Sequence, residues 1–245
     1  MQKDGKNRQD MKLLAFDTSS QALSVALCED DRLLGKIDLN IKKNHSLTLM
    51  PAIDFLMKNA GVQPQELDRI AVAMGPGSYT GLRIAVTTAK TLASTLNIDL
   101  VGVSSLAAIA ANASVTGKVV PIIDARRQNV YAGVYQDKRL ISAEGHMPLA
   151  QLLDTLSEEE TLYFTGEIAQ FRDSIHQALP NARFIDNPER RLPNAYEIAC
   201  LGINAVPVNV DFFAPEYLKK VEAEEKWLET HAHDEATDAN YIKKI

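Results

Sequence analysis

Leu13–Leu34 reads LLAFDTSSQALSVALCEDDRLL, and Val120–Ile141 reads VPIIDARRQNVYAGVYQDKRLI. The second stretch lies on the first without gaps at a shift of 107 positions. That shift sets Asp17 on Asp124, Gln21 on Gln128, Asp30 on Asp137, Arg32 on Arg139 and Leu33 on Leu140. The apolar positions agree as well. Each copy reads as an apolar strand ending in Asp, a polar turn, an alternating strand, a second turn and a third strand. A repeat of this length organises the whole chain.

The elements downstream of each copy keep the same order. After the first come a helical pattern from Ser46 to Ala60, a strand over Arg69–Met74, a glycine turn, a helix over Tyr79–Leu96 and a strand over Asp99–Val103. After the second come a helix over Pro148–Leu156, a strand over Thr161–Thr165, Gly166, a helix over Ile168–Leu179 and a strand over Arg183–Ile185. Pro51 should kink the first helix or confine its regular part to the residues after it. Alternating strands and helices make this an α/β protein, and the leading antiparallel strands make its sheets mixed. Two βββαβα-type lobes in tandem resemble the duplicated fold of actin-like ATPases and sugar kinases. The expected division is a disordered extension over 1–10, a first lobe over 11–110, a second lobe over 111–210 and an acidic tail over 211–245. A helix over 194–208 is expected to pack back on the first lobe. Within the tail, Val221–Asn240 carries seven acids against Lys226. It reads as a short helix docked by Trp227 and Leu228, with a mobile end after it.

Composition excludes several classes. The chain has 245 residues, 46% of them hydrophobic and 24% charged, which is the balance of a globular protein rather than a disordered one. The formal net charge of −6 argues against a lone nucleic-acid binder, which would carry a basic footprint. Apolar runs reach only about five residues, as at Ile70–Met74, so no segment reads as a membrane span. The N-terminus MQKDGKNRQD lacks the apolar core of a secretory signal. Cys28 and Cys200 have no CxxC spacing and imply neither a disulfide scaffold nor a zinc site. A cytoplasmic protein is expected.

In an actin-like fold, the turns after the paired aspartates would grip nucleotide phosphates. Close backbone approach to phosphate wants glycine there, yet neither Asp17–Gln21 nor Asp124–Asn129 contains one. Asp17 and Asp124 either hold Mg²⁺ through water or simply cap their turns. The glycines sit instead in Gly75-Pro76-Gly77-Ser78-Tyr79-Thr80-Gly81-Leu82-Arg83. Leu82 stands where a P-loop needs Lys, and the spacing Gly77–Gly81 is too long for GxGxxG. Gly75 and Gly77 either open the α-helix amides to an anion or permit a tight turn with Ser78 as N-cap. Gly81, Ala85, Ala89 and Ala93 form a small-residue row, and Leu49, Met50, Ile53, Leu56, Met57 and Ala60 an apolar one. Each row fits either the chain's own core or a contact with a partner. His45 lacks a second His one turn on, because Leu49 stands there, so no helical metal pair forms. His231 and His233 lie among acids and read as incidental. Arg126 and Arg127 supply too few phosphate contacts for direct nucleic-acid binding.

The segments LLAFDTSS, NHSLTLMPAIDFL, AVAMGPGSYTGLRIAVTTAKTLA, LVGVSSL, IIDARRQNVYAGVY and PEYLKKVEAE, spread from Leu13 to Glu224, resemble the TsaB family, also called YeaZ. The resemblance implies a non-catalytic scaffold in bacterial synthesis of N6-threonylcarbamoyladenosine in tRNA. It implies pairing with the catalytic paralogue TsaD and with the ATPase TsaE, a homodimer when TsaD is absent, and contact with tRNA only through the complex. It assigns this chain no cofactor or metal of its own and leaves ATP or ADP to the subunit junction. The carried-over partner interface comprises His45, Leu49, Met50, Ile53, Met57, Tyr79, Gly81, Arg83, Ala85, Val86 and Ala89. On that basis Ala89→Arg should abolish pairing and leave the monomer folded. The competing activities are an autonomous kinase of the same fold class and, more remotely, a metallopeptidase.

Overall fold

Leu13 and Ala15 face one way along the first strand, Leu14 and Phe16 the other, and all four are fully buried. A strand buried on both sides must have layers above and below it. The computed structural model, which describes residues 10–41 and 44–218, supplies those layers. The first sheet contains β1 (Lys12–Asp17), β2 (Leu23–Glu29), β3 (Arg32–Leu39), β4 (Arg69–Gly75) and β5 (Asp99–Ser104), ordered β3-β2-β1-β4-β5. The second contains β6 (Lys118–Asp124), β7 (Asn129–Gln136), β8 (Arg139–Pro148), β9 (Leu162–Gly166) and β10 (Arg183–Phe184), ordered β10-β9-β6-β7-β8. Read from the third strand of each, the orders are identical. In both sheets the first strand pairs antiparallel with the second and parallel with the fourth. This is the mixed, duplicated α/β architecture that the repeat implies.

Helices α1 (His45–Ala60) and α2 (Tyr79–Leu96) cover one face of the first sheet. Leu14 and Phe16 meet Leu49, Ile53, Met57, Ala85 and Ala89 there. The opposite face takes α3 (Ser105–Asn112) and α7 (Ala195–Gly202), with Leu13 and Ala15 against Ala108, Ile198 and Ala199. The second sheet carries α4 (Leu149–Asp154) and α5 (Arg172–Ala178), while α6 (Pro188–Arg191) leads back toward α7. Among the described residues no helix is long and apolar enough to cross a membrane.

Several boundaries differ from the sequence reading, each for a physical reason. Helix α1 runs unbroken through Pro51. Pro51 and Leu47 are both exposed, so the carbonyl that loses its N–H partner can be hydrated. Helix α3 has no counterpart in the sequence reading. Its residues 105, 106 and 108–112 are buried, so it shows no polar face, only an Ala-rich run. It starts where Ser104 accepts from the Leu106 and Ala107 amides, and Leu106 and Ile109 pack with Val119, Ile123 and Tyr135. The expected lobe boundary at 110/111 therefore falls inside a helix. The helix expected over 168–179 begins instead with a 3-10 turn at Ala169–Phe171. The helix expected over 194–208 ends at Gly202, because Arg69 captures the carbonyls at and just beyond its end: Nη1 donates to Gly202 (3.0 Å), Ile203 (2.8 Å) and Ala205 (3.0 Å). The expected extension (except Asp10) and the tail from residue 219 on, with its helix and mobile end, lie outside the described residues.

Residues 203–218 form a strap over the open edge of β5. The Val208 amide donates to Leu100, the Glu216 amide to Met74, and Lys90 Nζ reaches the carbonyls of Asp211 (3.0 Å) and Phe213 (2.8 Å). An edge strand covered in this way is no longer free to pair.

Candidate partner face and interlobe cleft

The glycine turn between β4 and α2 is where sequence and geometry meet. Ser78 caps α2 by accepting from the Gly81 amide at 3.3 Å. Its own amide donates to the Ser19 carbonyl (2.6 Å), and the Thr18 hydroxyl donates to the Gly81 carbonyl (2.7 Å). The turn after β1 is thus hydrogen-bonded directly to the start of α2. A Cβ at Gly81 would lie inside contact distance of the Thr18 carbonyl, and one at Gly77 inside that of Ser19. Gly75 has φ +132°, and its missing Cβ makes room for the Glu216 carbonyl of the strap. All three glycines serve close approach within the chain. Gly77 also borders the cleft, but the space beside it is taken by protein rather than left for an anion.

The paired aspartates act alike. Asp17 Oδ1 accepts from the Ser19 amide and Asp124 Oδ1 from the Arg126 amide, both at 2.8 Å. Each therefore closes its strand with an Asx-type turn. Asp17 is fully buried, and burial pushes its carboxyl up to about 6 against the opposing pull of the Ser19 amide and hydroxyl and the nearby His45. Asp124 lies in the second turn, where Arg126, Arg127 and Gln128 all have positive φ. Between the lobes is a cleft of about 890 Å³, lined among others by Ser19, His45, Asp124, Arg126, Tyr131 and Glu167. Glu167 accepts from the Asp124 amide at 2.8 Å, and burial raises its carboxyl. Asp17 is not among the lining residues. Neither aspartate turn contains glycine, Asp17 is sealed away from the cleft, and Asp124 and Glu167 bring two carboxyls together at its wall, an arrangement poor in donors for a phosphate. No phosphoryl transfer is derived from it.

The metal reading is equally poor in donors. His45 Nε2 donates to the Ser20 carbonyl at 2.8 Å, and Leu49, one turn on, is buried. Among the described residues no group of three His, Cys, Asp or Glu side chains is placed to hold an ion.

The carried-over interface residues divide sharply. Gly81, Ala85, Val86 and Ala89 face the chain's own sheet, with Ala85 and Ala89 at 0% exposure. The small-residue row is core, because β1 and β4 lie directly beneath it, and Ala89→Arg cannot spare the fold as expected from the sequence. Leu49, Ile53 and Met57 are also buried. Leu49 floors a groove between α1 and α2, while Ile53 and Met57 floor a second one, of about 320 Å³, toward the far ends of both helices. Met50 is 45% and Tyr79 52% exposed, Arg83 is exposed, and His45, at the start of α1, is half-buried.

The first groove, about 500 Å³, is lined by Ser46, Leu49, Met50, Tyr79, Thr80, Arg83, Ile84, Thr87 and Thr88. Sequence reading missed Ser46, Thr80, Ile84, Thr87 and Thr88. On α2 the signal is the complement of the core stripe: Thr80, Ile84 and Thr88 each stand one residue before Gly81, Ala85 and Ala89. The rim is ordered: Arg83 Nη1 donates to the Tyr79 hydroxyl (3.0 Å), its guanidinium lies 5.3 Å from the ring centre, and Tyr217 of the strap stacks on Tyr79 at 5.0 Å. Leu47 and Phe55 add exposed apolar surface on α1. Grooves with aromatic and Arg rims favour protein contacts.

Comparison with known proteins places this geometry. Residues 33–227 match the family model of TsaD, tRNA N6-adenosine threonylcarbamoyltransferase. The tRNA threonylcarbamoyladenosine biosynthesis protein TsaB of Bacillus subtilis is 39% identical over 227 residues, covering 90% of this chain and 99% of that protein. The Escherichia coli protein of the same name is 33% identical over 160 residues, covering 64% and 69% respectively. A solved structure, YeaZ from Pseudomonas aeruginosa, superposes with a TM-score of 0.70 at 28% identity, over 85% of this chain and all of that one.

Proposed function

The chain belongs to the TsaB family, and from that premise we propose that it serves tRNA threonylcarbamoyladenosine synthesis as a non-catalytic subunit, presenting the α1/α2 groove to a TsaD-type paralogue. The relatives carry the pathway, since they are named as tRNA threonylcarbamoyladenosine biosynthesis proteins. One observation carries the role: the groove floored by Leu49 and rimmed by Met50, Tyr79 and Arg83 is open, while the interlobe cleft, among the described residues, offers no phosphate cradle and no metal set. Reaction chemistry and tRNA contact then belong to the partner, with the TsaE ATPase joining the pair. Isolated, the same face pairs with a second copy. The free thiols Cys28 and Cys200 suit a reducing compartment, and we place the protein in the cytoplasm.

Reconstitution tests this reading. Modification of tRNA by purified TsaD, TsaE and the adenylate-forming enzyme should depend on this chain. Arg83→Glu, at the exposed rim, should weaken the pairing by about 2 kcal/mol, roughly 30-fold in affinity, while leaving the unfolding midpoint in place. Modification that proceeds equally without the chain refutes the role.

A further inference from the structure

The α1/α2 groove has a polarity of its own. Ser46 lies in the first turn of α1, and Tyr79 and Thr80 in the first turn of α2, and all three line it, so both helices open their N-termini at the same end. Neither first turn contains an acid. The groove has no carboxylate in its lining, and its one charged side chain is Arg83. Two uncompensated helix N-termini plus a guanidinium make a positive end on an otherwise apolar trough. Such a trough suits a segment with a bulky apolar anchor flanked by acids.

The chain carries one, and the described residues end beside the trough. Tyr217, stacked on Tyr79 at the groove rim, precedes Leu218, after which 27 residues remain. Those residues include Trp227-Leu228, set in the stretch Glu222–Asp238 with seven acids against the single Lys226, while the other lysines, Lys219, Lys220, Lys243 and Lys244, lie at the two ends of the segment. Nine residues take the chain from Leu218 to Trp227, a reach of up to ~30 Å if extended. Helix α2 has 18 residues and is about 27 Å long. Trp227 can therefore reach any point of the trough. Tethering this close supplies an effective concentration on the order of millimolar, which favours a contact too weak to form between separate molecules.

We propose that the α1/α2 groove is the docking site of the chain's own acidic C-terminal segment, residues 219–245, anchored by Trp227-Leu228 and held at its acids by Arg83 and the two helix N-termini. The segment then competes with any partner for that face, so this inference rests on the partner-face reading above for its regulatory meaning, though not for the docking itself. A segment docked about nine-tenths of the time leaves roughly a tenth of the molecules competent to pair, which weakens the pairing about tenfold.

Trp227 is the chain's single tryptophan, so its fluorescence reports the docking directly. In the full chain its emission should be blue-shifted, and its acrylamide quenching several-fold weaker, relative to a free peptide of residues 219–245. Met50→Glu and Arg83→Glu, both at exposed positions in the groove, should return both signals toward the peptide values. A chain ending at Leu218 should bind a TsaD-type partner about tenfold more tightly than the full chain. Signals equal to those of the free peptide, or protection unmoved by both groove substitutions, overturn the docking. Protection that disappears on dilution assigns the segment to a second copy and overturns the intramolecular form. Protected Trp227 with no gain in partner affinity on shortening overturns the competition, and it shows that the partner binds elsewhere while the docking stands.

Discussion

Gly81→Ala sets two effects of opposite sign against each other. Gly81 is the third residue of α2, where alanine's better helix propensity and the stiffer unfolded chain together favour the variant by about 1 kcal/mol. Opposing this, a methyl at Gly81 falls inside contact distance of the Thr18 carbonyl, a backbone atom that cannot swing aside as a side-chain tip would. Relief requires α2 to move off the Thr18–Ser20 turn. Overpacking of this kind costs about 1–3 kcal/mol. The movement also loosens the Thr18 hydroxyl bond to Gly81 (2.7 Å) and the Ser78 amide bond to Ser19 (2.6 Å), each worth about 1 kcal/mol. The opposing terms leave the variant destabilised by about 3 kcal/mol, or a fall in melting temperature of roughly 6–12 °C for a chain of this size. Thermal unfolding monitored by circular dichroism reads this directly. The shift also carries Tyr79 and Arg83 off the groove rim, so partner affinity should fall with stability. A Gly81→Ala protein as stable as the parent refutes the reasoning, because propensity alone would then govern the position.

Burial and charge give three further outcomes. Ala89→Arg should destabilise by about 4 kcal/mol or more, since it drives a cation into the space between α2 and the first sheet; loss of cooperative unfolding checks it, and a folded monomer that merely fails to pair counts against it. Asp17 titrates at about 6 when folded against 3.8 in a free chain, so between those values the folded state holds a proton that the unfolded state has lost. Asp17 therefore contributes its full stability below about pH 4, and that contribution is lost as pH rises to about 6, on the order of 3 kcal/mol in all. Asp17→Asn, which keeps an acceptor for the Ser19 amide, should flatten that slope and be the more stable protein at pH 7.5; denaturant midpoints at pH 4, 5, 6 and 7.5 test both statements. Arg69→Lys should cost roughly 3 kcal/mol, because one ammonium cannot serve the three carbonyls at the end of α7 and also Asp99, which now accepts from Nη2 at 2.8 Å. Protease cleavage within 203–210 should accelerate, and wild-type resistance there would refute the assignment.

The fold was legible because it rests on periodicity and repetition. The 107-residue shift aligns Asp17 with Asp124, and those residues end β1 and β6, the central strands of two sheets with the same order. What sequence could not decide was direction. Gly81, Ala85, Ala89 and Ala93 make a flat row under either reading, and only the sheet beneath α2 shows that the row faces inward. Partner-facing residues carry a weaker signal: Tyr79, Arg83 and Thr87 recur every four residues but share no residue type, and Met50 sits in an apolar row whose other members Leu49, Ile53, Leu56 and Met57 are buried. Helix α3 stayed hidden for the converse reason, since a helix buried nearly all round loses the contrast that periodicity needs.

The two halves show how a symmetric sequence can support an asymmetric role. Each copy ends its first strand in an aspartate that caps its own turn with a 2.8 Å bond two residues on. Beyond that, the turns diverge. The first is sealed under the start of α2 by hydrogen bonds and by glycines whose missing Cβ atoms admit Thr18 and Ser19. The second stays at the cleft in a left-handed run of non-glycine residues. Locking the first turn to α2 ties Thr18 and Ser19 to Gly81 and Ser78 and, in the same step, fixes where α2 begins. That start positions Tyr79, Thr80 and Arg83 at the groove rim, and the strap, by seating Glu216 at Gly75, brings Tyr217 onto Tyr79. A single set of close contacts therefore both seals the first turn away from the cleft and shapes the outer face. Substitutions at Gly75, Gly77 or Gly81 should consequently change stability and partner binding together, and none of them should create nucleotide binding.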